Sequence, residues 1–357
     1  MENNQAAFIL AADNSPLQVG PGPDQSSPAA DEIVVKVAAV AINPSEWKMK
    51  EFGYLPLEYP HVLGSDVAGT VVKVGEGVTR FKAGDRVIGH CLGLLYGGAK
   101  HGGFQNYTTL REAVTAPVPD HIRLEDAVVL PLAISTASVG LFDDLKLRLP
   151  SADPDHGDQP HEQKHRDEVI LIWGAASSMG SAAVQLAVAA GYHVLATASA
   201  KNHNYVRELT RGKHVTVFDY HDAGVADEII EYIQSREGEG LKFAGAYDCV
   251  GLEDSTRACA AVVHAFGGGV LPSVLPPPLG FLWADVQASC VNAIRPGTVP
   301  GSPGSLVWRD YVPRALETGS LRTRPEPEIV GTGLDEIEGA LGLHRAGVSA
   351  KKLVVLL

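Results

Sequence analysis

Short apolar runs broken by Gly and Pro dominate the first third of the chain. Residues 33–42 (IVVKVAAVAI) are β-branched and nearly all apolar, which predicts a buried strand ended by Asn43-Pro44. Residues 67–74 (VAGTVVKV) predict a second strand closed by a turn at Gly75–Gly77, and Arg86–Gly89 starts a third after the turn at Gly84-Asp85. Such punctuation, with few helical patterns, predicts a β-rich domain. From about Ser135 the pattern changes. Strand-like runs at 169–173, 193–197, 215–218 and 246–250 alternate with helical patterns at 182–190, 203–211 and 225–235. That alternation predicts βαβ units on a parallel sheet, so the fold class is α/β. A helical pattern at 335–346 precedes a last strand at 351–357, placed to return to the first domain.

Between the two textures lies 150–168 (PSADPDHGDQPHEQKHRDE), polar and rich in Pro and His. It predicts a flexible, solvated insertion. The sharper reading is a metal tract through His156, His161 and His165, but the neighbouring Pro and Gly oppose the helix that would align them. A length of 357 residues suits two domains, and 45% apolar with 20% charged residues is ordinary for a globular chain. The formal charge of -13 argues against a nucleic-acid surface or an anionic membrane. Cys91, Cys249, Cys259 and Cys290 are scattered without a CxxC pair, as reduced cytosolic thiols are. Without a basic, apolar leader or an apolar run of membrane-spanning length, the expected location is cytoplasmic.

Gly174-Ala175-Ala176-Ser177-Ser178-Met179-Gly180 follows one predicted strand and opens a predicted helix. A dinucleotide fold places its phosphate turn there, because small residues let backbone N–H groups and the helix N-terminus approach a pyrophosphate. Ser177 stands where a central Gly is usual and adds a hydroxyl. The alternative is an ordinary Gly-containing β–α turn. The next strand ends in Thr197-Ala198-Ser199-Ala200-Lys201-Asn202, with no acid for ribose hydroxyls. Ser199 and Lys201 suit a 2′-phosphate, and Tyr220 after the following strand is placed to pack on it. NADPH is therefore expected over NADH, unless Lys201 is only a solvated cation.

Several separated motifs resemble the medium-chain dehydrogenases/reductases. They are Gly64-Ser65-Asp66-Val67-Ala68-Gly69-Thr70-Val71-Val72, Gly84-Asp85-Arg86-Val87 and Gly102-Gly103-Phe104-Gln105-Asn106-Tyr107. The resemblance implies a GroES-like β-rich catalytic domain at 1–133, completed by 309–357, a Rossmann domain at 134–308, and a cleft between them. It also implies loss of zinc: Asn43 stands where zinc members have Cys, and Gly64-Ser65-Asp66 where they have Gly-His-Glu. Ala41–Met49, Leu130–Ala137 and Phe218–Asp222 look like the fungal trans-acting enoyl reductases that serve polyketide synthases. Arg211-Gly212-Lys213-His214 departs from them, standing where Gly-Ala would end a helix.

The resemblance assigns cofactor contact to Pro44, Ser45, Glu46, Trp47, the 174–180 turn, Ser199, Lys201, Asn202, Tyr220, Val348 and Ser349. Thr136, Ala288, Ser289, Cys290, Val291 and Asn292 would line the acyl pocket. Reduction of an α,β-unsaturated thioester needs a donor aimed at the thioester oxygen and a proton for the α-carbon. Lys48 is the leading candidate, with Asn43 and Thr136 holding the nicotinamide side; Lys48 reads equally as a surface lysine and Thr136 as a helix cap. Prolines around the edge segment 286–295 predict a monomer. An acidic acyl carrier would need a local basic patch, for which Lys48, Lys50 and Arg295 are candidates. Two competing readings are a free-standing NADPH quinone or enone reductase and a non-catalytic NADPH-binding scaffold.

Overall fold

The computed structural model describes every residue except 1–3, 95–97, 152–166, 239, 279, 281 and 282. The expected insertion, with its three histidines, lies outside the described residues apart from positions 150, 151, 167 and 168.

Eight strands come first: β1 (Gln5–Ile9), β2 (Gln18–Pro21), β3 (Glu32–Ala41), β4 (His61–Val62), β5 (Asp66–Val74), β6 (Arg86–His90), β7 (Tyr107–Arg111) and β8 (Thr115–Pro117). Six more make up the second group: β9 (Glu168–Trp173), β10 (His193–Thr197), β11 (Val215–Phe218), β12 (Lys242–Asp248), β13 (Gly269–Ser273) and β14 (Val286–Cys290). The last two are β15 (Glu326–Thr332) and β16 (Lys351–Leu356). The second group forms a six-stranded parallel sheet in the order β11-β10-β9-β12-β13-β14. The strand order reverses beside β9, the first strand of the sheet, which is where an open α/β sheet makes its ligand crevice. The fold is α/β, a GroES-like β domain joined to a Rossmann-type parallel sheet.

The first sheet runs β15-β16-β3-β5-β6-β8, with β7 also on β3. Its apolar centre is the predicted run of β3, whose Ile33, Val34, Val35, Val40 and Ala41 are fully buried. Gly69 lets β3 and β5 close up, because a Cβ there would stand 2.1 Å from the Lys36 carbonyl oxygen. Register decides what the sheet delivers. Ala41 lies opposite Asp66 and Val354, and Asp66 lies opposite His90. Four strands, β3, β5, β6 and β16, therefore meet at one point.

A single apolar core crosses from this sheet into the second, taking in Ala41, Ile88, Ala133, Ile134, Ile170, Tyr247, Trp308 and Val354. Between the sheets runs Leu124–Asp144, which corrects the expectation that no stretch was apolar enough to span a membrane. It passes that test by length and composition, yet 78% of its apolar window is buried in the protein, so its apolarity serves the core. Two hydrogen bonds fix it sideways: Trp308 Nε1 donates to Ser135 Oγ at 2.9 Å, and the Tyr247 hydroxyl to the Thr136 carbonyl at 3.1 Å.

The edge strand is shorter than the segment 286–295 expected from sequence. Pro272 lies inside the sheet, in β13, where it has no N–H to give. The β12–β13 ladder is accordingly reduced to one pair, Asp248 with Ser273.

Candidate active site

The phosphate turn is built as its small residues require. Gly174 has φ +77°, a conformation costly to any side chain. Its N–H donates to Thr197 Oγ1 at 3.0 Å, and the Ala175 N–H to the Thr197 carbonyl at 2.9 Å, which ties the turn to β10. A Cβ on Gly180 would stand 2.2 Å from the Gly174 carbonyl oxygen, so the turn closes only over glycine. Ser177 caps the helix Ser178–Ala189, its Oγ accepting from the Gly180 N–H at 3.0 Å. The Ser177 O–H remains to donate outward. Below the turn, the buried Asp248 accepts from the N–H groups of Val250 and Gly251 and from the hydroxyls of Ser255 and Thr256. The N–H groups of Gly174, Ala175, Ser177 and Gly180 are paired within the protein, so the turn would meet a pyrophosphate with the first helical N–H groups, those of Ser178 and Met179, and the Ser177 hydroxyl.

Next to it the structure joins two distant predicted residues. Asn202 Nδ2 lies 3.2 Å from both Ser199 Oγ and Ser349 Oγ, so the loop after β10 meets the loop before β16. Lys201 is exposed and makes no ion pair among the described residues. Tyr220 is exposed and stacks on His221 with ring centroids 4.4 Å apart. Asp219 lies at this edge: its carboxylate accepts from the His221 N–H and from the Ala200 N–H, between Ser199 and Lys201, and those bonds hold it below the usual carboxylate range. Val348 is exposed beside Ser349.

Asn43 opens the helix Pro44–Phe52 and is buried with its side chain fully engaged. Its Nδ2 donates to Asp66 Oδ2 at 2.8 Å, and its Oδ1 accepts from Lys352 Nζ. Lys352 also pairs with Asp66 Oδ2 at 3.0 Å, and Asp66 Oδ1 accepts from the Leu132 N–H at 2.6 Å. Glu46 faces inward with no exposed surface, accepting from the N–H groups of Asn43 and Ser65. Burial, then the neighbouring Asp66, pushes Glu46 up to about 7, against the pull of Lys352. His90, across the register from Asp66, is held neutral by burial, down to about 4. The Asn43 and Glu46 side chains, expected on the cofactor side, are both engaged in a buried polar knot. The same knot tests the metal positions. An ammonium already sits on the Asn43 and Asp66 oxygens, and a divalent cation there would face Lys352 at contact distance.

Pro44 is exposed, and Ser45, Trp47 and Lys48 are partly exposed along the helix that Asn43 opens. Lys48 Nζ lies 5.6 Å from the Trp47 ring centroid and has no carboxylate partner among the described residues. His344 stands near it; burial, with help from Lys352 and Lys48, lowers that imidazole to about 4. The basic patch expected from Lys48, Lys50 and Arg295 is not assembled. Lys50 is buried against Glu338 at 2.7 Å and Asn14, and Arg295 pairs with Asp143 at 3.3 Å. Thr136 is no helix cap: it lies inside the helix Pro131–Ser138 and its Oγ1 donates back to the Leu132 carbonyl at 2.7 Å.

The expected pocket segment is the end of β14 with Val291 and Asn292 beyond it. Ala288 and Ser289 are partly buried on the strand, Cys290 and Asn292 are exposed, and Val291 packs against the core. Burial, then Asp144, raises the Cys290 thiol. Tyr54, half exposed in the first domain, is pushed up to about 12 by burial and then by Glu46 and Cys290. Sequence reasoning missed Tyr54, Asp66 as an anchor, and Lys352. The last left a signal, a lysine inside the apolar strand 351–357.

The family described as Alcohol dehydrogenase GroES-like domain matches residues 29–120. The trans-enoyl reductase himH of Aspergillus japonicus is 44% identical over 354 residues, 99% of this chain and 97% of that protein. Among solved structures, an alcohol dehydrogenase superfamily protein from Novosphingobium aromaticivorans aligns with a TM-score of 0.76 at 24% identity, covering 99% of this chain and 100% of that one. The CurK enoyl reductase aligns at 0.69 with 22% identity, covering 99% of each chain.

Proposed function

The chain belongs to the medium-chain dehydrogenase/reductase family, and on that footing we propose that it is an NADPH-dependent, zinc-independent enoyl reductase acting in trans on an α,β-unsaturated polyketide thioester. The observation that carries this reading is its end-to-end likeness to a trans-enoyl reductase, on a chain whose phosphate turn accepts no Cβ at Gly174 or Gly180. The backbone of 174–180 with Ser177 and Ser178 would hold the pyrophosphate, and Met179 would close the turn. Ser199, Lys201, Asn202 and Ser349 would hold the 2′-phosphate, with Tyr220 packed over it. Pro44, Ser45, Trp47, Thr136 and Val348 would bound the nicotinamide side.

When bound, the reduced nicotinamide supplies hydride to the substrate β-carbon. Lys48 donates a hydrogen bond to the thioester oxygen, where negative charge develops, and a proton reaches the α-carbon from Lys48 or water. Asn43 acts indirectly, by fixing the start of the helix that carries Lys48. The segment 288–292 would take the acyl chain. The Lys352 ammonium on the Asn43 and Asp66 oxygens supports a reaction without a Lewis acid at that position. The short edge strand β14, followed by Pro296, Pro300 and Pro303, supports a monomer.

The test is anaerobic consumption of NADPH with an enoyl thioester of pantetheine, run beside a simple quinone. Turnover of the thioester, insensitive to chelator and reduced roughly 10²-fold in kcat by Lys48→Ala with KM little changed, is the expected result. Turnover of quinone alone would replace this reading with a free-standing quinone reductase. NADPH binding with neither reaction would point to the scaffold.

A further inference from the structure

The turn Arg211–His214 has no part in the function described above. There the chain leaves the helix His203–Leu209 through three left-handed residues, Arg211 (φ +56°), Gly212 (φ +75°) and His214 (φ +57°). The Gly212 N–H donates to the Arg207 carbonyl at 2.7 Å, which folds Arg211 back beside Arg207. A third arginine arrives from the far end of the chain. Arg322 is gripped through its main chain by the buried Gln185, whose Oε1 accepts from the Arg322 N–H at 2.8 Å. Its guanidinium donates to the Glu208 carbonyl.

Together Asn204, Arg207, Glu208, Arg211, Gly212 and Arg322 line an open groove of about 270 Å³. Arg207 bonds Asn204 Oδ1 at 3.3 Å and Arg211 the Gly319 carbonyl at 3.3 Å. None of the three forms an ion pair among the described residues. Three guanidinium groups are thus held on neutral oxygens, with Glu208 the one acid in the lining. Exposed Lys213 adds a fourth cation on the same turn.

We propose that this groove is a docking surface for an acidic protein partner, the carrier that brings the thioester in trans; the proposal rests on the reading given under Proposed function. Apart from Gly212 the lining side chains all end in charged or polar groups, with their aliphatic stems supplying the apolar surface, and the volume is below the usual range of small-molecule pockets, roughly 300–1,000 Å³. Guanidinium forks fit carboxylates two oxygens at a time, so an acidic helix face suits it. The chain as a whole carries -13, which repels such a partner everywhere else on average. A local cluster of unpaired cations is what steers an acidic surface against that background.

The test uses the full-length protein and an excised acyl carrier domain of a fungal polyketide synthase, charged with crotonyl-phosphopantetheine. Arg207→Glu/Arg211→Glu is compared with Arg207→Gln/Arg211→Gln, both checked by thermal melting and NADPH titration. The expected result is carrier binding weakened at least 10-fold by charge reversal, less by neutralisation, and weakened by salt in the wild type. Turnover of free crotonyl-pantetheine stays unchanged in both variants. Carrier binding that is absent in the wild type, or indifferent to both variants, overturns the proposal. So does inorganic pyrophosphate binding to the groove while carrier binding ignores the substitutions, which would make it a small-anion site. Failure of the enoyl-reductase reading would show separately, as no turnover of the free thioester by the wild type.

Discussion

Lys352→Met tests the polar knot directly. The substitution keeps the unbranched apolar stem and removes one cation from a site where Lys352 is 3% exposed and Asp66 and Glu46 are 0% exposed. Asp66 would lose its ion-pair partner and Asn43 the donor to its Oδ1. Stranding one member of a buried pair costs roughly 3–5 kcal/mol. Glu46 gives the loss a pH dependence. Its pKa is raised to about 7 in the folded protein, so the native state holds a proton that the unfolded chain has released. Stability is therefore full at pH below the ordinary carboxylate value and declines as pH rises through about 7, by about 3 kcal/mol at ~1.4 kcal/mol per unit. Lys352 opposes that rise, so without it Glu46 moves further up and the decline runs on to higher pH. The assay is the urea unfolding midpoint at pH 6 and pH 8 for wild type, Lys352→Met, Asp66→Asn and the double variant. The single Lys352 change should destabilise strongly, and more at pH 8. The double variant should recover part of the loss, because the stranded charge is gone. A loss under about 1 kcal/mol, or no recovery in the double variant, would refute the reasoning.

The cradle and its neighbour give two further outcomes. Gly180→Ala should weaken NADPH binding at least roughly 10-fold in a fluorescence titration, because its Cβ would meet backbone 2.2 Å away and force the turn open; unchanged affinity would show that the pyrophosphate lies elsewhere. Lys201→Ala should raise the Kd for NADPH by roughly 10–100-fold, the worth of one charged hydrogen bond, and leave NADH binding unaltered; equal loss for both cofactors would take Lys201 off the 2′-phosphate.

Legibility in the sequence falls with distance along the chain. The alternation after Ser135 marks β9, β10 and β11 to within a residue, because each buried strand is a local apolar run. The Gly174–Gly180 turn is legible for the same reason: its constraint is steric and lies within seven residues. Asn43 stands out by its place after a strand, but the meaning of its side chain depends on partners 23 and 309 residues away. Only the register of β3 with β5 and β16 brings them together. That same register ties Asn43 and Asp66 to Lys352. Once Ala41, Asp66 and Val354 are adjacent, an amide and a carboxylate at the first two strand ends leave a buried negative charge. Some cation must answer it. A lysine on an otherwise apolar closing strand can do so permanently, and it needs neither a thiolate nor an imidazole. The arginine groove shows the converse. Arg207 and Arg211 are close in sequence, but a surface charge pair is ordinary until Arg322 arrives beside it with Glu208 the one acid in the lining. Local pattern thus reads out the scaffold and the cradle, and long-range register decides which polar residues work and which support.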